Sequence, residues 1–133
     1  MYIIICLDDN NGLAFNHRRQ SQDRIVVEDI SKTVGEKKLW ITDYSRKLFQ
    51  AVSNLEISEN PKEEAKKGEY VFQELETLDT DDEQIEQFII YRWNRVYPAD
   101  VSVEIGAEWK LTETEEIPGF SHEKITKEIY CRE

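Results

Sequence analysis

Basic residues are scarce in this 133-residue chain: lysine and arginine number 17 against 28 aspartates and glutamates, a formal charge of −11. That deficit excludes broad, non-specific binding to nucleic acid or to an anionic membrane, since both need a basic footprint. It suits solubility, a basic partner protein, or mimicry of nucleic acid. Long apolar runs are missing as well. The longest, YIIICL at residues 2–7, falls far short of the roughly 20 residues of a membrane-spanning helix. It has neither a basic leader nor a small-residue cleavage site, so it reads as a buried strand and not as a signal peptide. The two cysteines, Cys6 and Cys131, stand in no CxxC pair and beside no histidine, which argues against zinc and redox chemistry. Two strands could bring them together, but without a secretion signal they are expected as reduced thiols in the cytoplasm. No two of the five glycines are adjacent, and there are only two histidines. P-loop, nucleophile-elbow, zinc-cluster and kinase signatures are all absent.

What is present suits one packed domain. Hydrophobic residues make up 39% of the chain and aromatics 11%, enough for a core at this length. Tyr2–Leu7 has the continuous apolar character of a strand buried on both faces. DDNNG at 8–12 is turn chemistry. Ile25, Val26, Ile30 and Val34 recur at near-helical spacing after a candidate N-cap at Ser21, and Gly35 follows as a C-terminal cap. KKLWIT at 37–42 predicts a short strand. DYSRKLFQAV predicts a helix capped by Asp43 or Ser45. Asn60-Pro61 opens a small charged helix closed by Gly68, and EYVFQEL alternates like a strand. Residues 74–86 carry seven carboxylates and no lysine or arginine, the composition of a mobile, solvated connection. They lack EF-hand spacing and its glycine, so no metal site is expected there. The stretch from 86 to 105 fits either a helical stripe or a strand; its aromatic and β-branched content, closed by Pro98, favours the strand. EWKLTE and KITKEIYCR, joined by a loop around Pro118-Gly119, predict a closing antiparallel pair. Trp40, Trp93 and Trp109 lie in predicted strands and are expected in the core, with Trp93, flanked by Arg92 and Arg95, the one to watch at an interaction surface. His122 is expected on a surface turn.

The order of these elements resembles a shortened dihydrofolate reductase. YIIICLDDNNGLAF is similar to that family's first strand and Asn-Gly loop, and SQDRIVV to its helix with the catalytic carboxylate. KKLWITDYSRKLF is similar to its nucleotide-contacting segment, and VYPADVSVEIGAEWKLTETEE with KEIYCR to its closing strands. The match covers about the first fifty and last forty residues. The resemblance implies a single α/β domain over residues 1–133, with a mixed β-sheet flanked by helices. The departures concern the cofactor. Where the family places a glycine, a basic residue and a threonine against phosphate, this chain has Thr42, Asp43 and Ser45, and the later Gly-Gly pair has no counterpart. HRRQSQ replaces the Pro-Trp before the carboxylate, leaving Asp23 near that position. The expectation is no cofactor, and neither NADPH binding nor folate reduction. Short bacterial chains labelled ribonuclease Z have similar openings, but the His-x-His-x-Asp-His metal cluster of that activity is missing.

One stretch stands out. Residues 8–24 leave the carboxyl end of the first strand, where ligands gather on open α/β sheets. His17, Arg18, Arg19 and Arg24 offer cations, and Asn16, Gln20, Ser21 and Gln22 offer hydrogen bonds. With Asp23 and the free amides of the coming helix, they form a candidate site for a phosphate-bearing or other small anionic ligand. Equally, the arginines could pair with the chain's own carboxylates, Asp8, Asp9 or Asp23. A catalytic version would use His17 as general base, oriented by Asp8, Asp9 or Asp23. Three functions remain open: a non-catalytic binding or regulatory protein acting through a protein partner, basic in character; a phosphate- or nucleotide-binding enzyme or sensor using the 8–24 loop; and an acidic nucleic-acid mimic. Direct nucleic-acid and membrane binding are not expected.

Overall fold

A computed structural model describes residues 1–132. Strand β1 (Tyr2–Leu7) occupies the middle of a seven-stranded sheet and has its backbone paired on both sides. It runs parallel to β6 (Tyr70–Phe72) and to β7 (Gln87–Arg92). β4 (Leu39–Ile41) lies beyond β6, and β5 (Leu55–Ile57) forms that edge, all parallel. On the other side β10 (Ile125–Arg132) and the edge strand β9 (Trp109–Ile117) add antiparallel. The order is β5-β4-β6-β1-β7-β10-β9.

The two-residue side-chain period divides the apolar residues of this sheet between two cores. Ile3, Ile5, Leu7, Phe88 and Ile90 point to one face, with Leu13, Val71, Ile85, Val103 and Trp109. Ile4, Ile89 and Tyr91 point to the other, against Val26, Ile30 and Val34 of helix α1 (Arg24–Val34). Burying one such side chain stabilises the fold by ~1.5–3 kcal/mol, so these two layers outweigh any surface ion pair.

Apart from the edge strand β5, which the sequence did not show, the sheet strands fall where the sequence places them, including β7, where helix and strand were both open. Four local readings are corrected. The N-cap of α1 is Asp23, whose carboxylate accepts from Ile25 N at 2.9 Å, and not Ser21. Residues Asp43–Phe49 form a 3-10 helix that begins after Thr42 without a side-chain cap, so neither Asp43 nor Ser45 has that role. The charged helix after Asn60 is one turn, α2 (Pro61–Glu64). Residues 74–86 are not a purely solvated connection: Leu78 and Ile85 are buried, and Thr80 O accepts from the Trp109 indole at 2.8 Å.

Candidate functional site

The polar stretch after β1 is built, not loose. Asp8 closes its first turn by accepting from Asn10 N and Gly12 N, with Asn11 in the left-handed region. A Cβ on Gly12 would stand 2.7 Å from Gln20 Nε2 and 2.9 Å from Asp8 Oδ1, so the turn requires glycine. Next, β2 (Gly12–Phe15) and β3 (Arg18–Arg19) form a hairpin in a second, three-stranded sheet with β8 (Val101–Ser102). Its two-residue turn is Asn16-His17, both at positive φ, 53° and 60°, the geometry of a type I′ connection. The sequence reading took this hairpin for open loop.

That hairpin disperses the expected anion contacts. Asn16 and His17 are exposed at its tip, and the Asn16 amide donates to Asp100. His17 makes no side-chain hydrogen bond or ion pair among the described residues, and Asp23 bonds elsewhere, so the His17–Asp23 catalytic pairing does not form. Arg18 and Gln22 are exposed. Arg19 turns inward and grips Glu74 with two hydrogen bonds, Nε to Oε2 at 2.6 Å and Nη2 to Oε1 at 2.9 Å. Ser45 donates to the same carboxylate at 2.6 Å, and the guanidinium lies over the Tyr44 ring. Gln20 donates to Asp8. Arg24 stacks on Phe120 and lies near Glu28. Three arginines therefore follow three directions, and the carboxylates they meet are Glu74 and Glu28, not Asp8, Asp9 or Asp23.

Asp23 gathers a different group. Its carboxylate accepts from the amides of Ile25, Phe120, Ser121 and His122, and from the His122 ring at Nδ1, 2.9 Å away. Burial opposes its ionisation, but the hydrogen bonds, led by Phe120 N and the His122 ring, outweigh that and hold the carboxyl well below the usual carboxylate range. The loop comes this close because residue 119 is glycine: a Cβ there would be 2.8 Å from Asp23 Oδ2. His122 is buried, contrary to its expected surface position; its ring stacks on Trp93, centroids 4.7 Å apart. Its other nitrogen, Nε2, faces Ser21 Oγ at 3.0 Å and Tyr97 OH at 3.2 Å. Sequence reasoning missed His122, Tyr97 and Glu74, because each meets its partner across a long stretch of chain.

The main concavity is a cleft of about 620 Å³ outside the carboxyl ends of β4, β5 and β6. Residues 42–44, 57–63 and 72–76 line it. Its walls carry Asp43, Glu59, Glu63, Glu74 and Glu76 against the single cation Lys62, with Tyr44, Ile57, Pro61, Phe72 and Leu75 as the apolar floor and sides. Asp43 is paired with Arg46, and Glu74 with Arg19. Glu59, Glu63 and Glu76 are exposed and form no ion pair among the described residues. Among the described residues no cluster of three or more His, Cys, Asp or Glu could hold a metal, and no helix is long and apolar enough to cross a membrane.

No sequence family matches the chain, and no curated protein does. Among solved structures it is similar to dihydrofolate reductase from Enterococcus faecalis complexed with NADP(H) and RAB-propyl. Identity is 10% and the TM-score 0.65, over 98% of this chain and 95% of that one. The fold is therefore dihydrofolate reductase-like along its whole length, including the middle, where the sequence showed no likeness. At this identity the likeness carries architecture and not activity.

Proposed function

We propose that this protein is a small binding protein that takes a basic segment of a partner protein, without chemistry at that site, into the cleft at the ends of β4, β5 and β6. The observation that carries this reading is the charge of the lining: besides the arginine-paired Asp43 and Glu74, the exposed carboxylates of Glu59, Glu63 and Glu76 stand against the ammonium of Lys62, where open α/β sheets hold their ligands. An exposed carboxylate–cation contact contributes only ~0–1 kcal/mol. Affinity therefore needs several contacts together with the apolar side chains Tyr44, Ile57 and Leu75, which suits an arginine- or lysine-bearing peptide. Free, half-buried thiols at Cys6 and Cys131 fit a reducing cytoplasm.

The same lining does not fit NADPH. Asp43, at the end of β4, together with Glu59, Glu63 and Glu76 would face the phosphates of the cofactor, and like charges repel. The anion-site reading of residues 8–24 is disfavoured by the engagement of Arg19 with Glu74 and of Arg24 with Phe120. A nucleic-acid mimic would instead use the exposed glutamates of the edge strand, Glu113, Glu115 and Glu116.

A thermal-shift comparison of an arginine-rich peptide, NADPH and inorganic phosphate tests the reading. The peptide is expected to raise Tm, with the effect lost in Glu59→Gln/Glu63→Gln and kept in Arg18→Ala. Stabilisation by NADPH, or loss of the peptide effect in Arg18→Ala alone, overturns it.

A further inference from the structure

The network around His122 has an arrangement that capping does not require. Asp23 would cap α1 and hold the 119–122 loop through backbone amides alone. Yet the His122 imidazole is inserted between this carboxylate and a hydroxyl: Asp23 Oδ2 to Nδ1 is 2.9 Å, and Nε2 to Ser21 Oγ is 3.0 Å. A buried, ionised carboxylate at Nδ1 places the ring proton there and leaves the Nε2 lone pair facing the serine. The stack on Trp93 fixes the ring plane. This is the order nucleophile, base, orienting carboxylate that activates a serine, recognised by geometry and not by sequence position.

Ser21 is half-exposed and borders a small recess shared with Gln20, Arg19, Cys6 and Trp93. The recess has room for about one water-sized group, roughly 10 Å³. Gln20 Oε1 is buried without a hydrogen-bond partner among the described residues. Phe72, Gln73 and Glu74 line both the recess and the large cleft, so the two adjoin.

We propose that Ser21 is an activated nucleophile for small acyl esters, with His122 as its general base and Asp23 as positioning residue. In the step, Oγ bonds to the acyl carbon while its proton passes to Nε2. The ester C–O bond breaks, and the proton returns to the leaving alkoxide. Water then attacks the acyl-serine by the reverse transfer, restoring the free hydroxyl. Tyr97 OH also contacts Nε2, at 3.2 Å.

The test uses the full chain and p-nitrophenyl acetate, with release of p-nitrophenolate, intact mass and peptide mapping as readouts. One acetyl group on Ser21 is expected, with release slower by ~10²-fold or more in Ser21→Ala and in His122→Gln. Arg18→Ala, at an exposed residue outside the network, is expected to leave Ser21 labelling in place. Asp23→Asn is expected to slow release and to move the His122 ¹⁵N signals from the Nδ1–H to the Nε2–H tautomer. Acetylation confined to lysines, or equal release from Ser21→Ala and wild type, overturns the proposal. Should His122→Gln fail to fold, the Ser21→Ala comparison alone decides.

Discussion

Asp23 shows how much one side chain can hold. It satisfies an amide of its own helix and amides of a segment that begins ninety-seven residues away in sequence, so Asp23→Ala leaves several buried donors without acceptors. The expected cost is ~2 kcal/mol or more, measured as a shift in urea midpoint with unchanged slope. Its titration gives a signed prediction. The folded carboxyl titrates below the unfolded value of about 3.9. Its contribution is therefore full above that pH and is lost as pH falls toward the folded value. Stability of the wild type should thus drop below about pH 4, and Asp23→Asn should flatten that drop while lowering stability at neutral pH. The arginines give a contrast. Arg19→Ala strands a Glu74 side chain that is only 7% exposed and should cost ~3 kcal/mol, whereas Arg18→Ala should stay within ~0.5 kcal/mol. Sequence alone placed Asp23 at a helix start but could not separate these two arginines. Their difference depends on a carboxylate fifty-five residues from Arg19.

At the scale of elements, what was legible followed local periodicity. The β1 run, the α1 stripe with its Gly35 stop, and the β9–β10 pair are each written in neighbouring residues, and each formed. The hairpin at 12–19 was not legible, because its strands are four and two residues long and its turn pair, Asn-His, is less recognisable than Asn-Gly. The 118–124 loop looked like a polar surface turn, and most of it is exposed; the burial of His122 within it comes from Asp23 and Trp93, both remote in sequence. Gly119→Ala tests that docking: the added Cβ would meet His122 O at 2.5 Å, so the loop must move. A loss of ~1–3 kcal/mol is expected, together with exposure of the His122 and Trp93 rings, read as a red shift of tryptophan fluorescence. An unshifted spectrum with full stability would contradict it.

For the whole molecule, the sheet order and its two cores place a cleft at the ends of three parallel strands, and the acidic composition decides the character of that cleft. The composition was plain in the sequence and the fold largely so. The coincidence of Asp43, Glu59, Glu63 and Glu76 around one concavity was not, since it depends on the crossovers that bring β4, β5 and β6 side by side. Binding there should weaken steeply with salt, because the contacting charges are exposed. The most direct measurement is a ¹⁵N–¹H NMR titration of the protein with an arginine-rich peptide. The account predicts shifts concentrated in residues 42–44, 57–63 and 72–76, reduced at high salt. Shifts confined to residues 16–24 or to the β9 edge, or none at all, would contradict it.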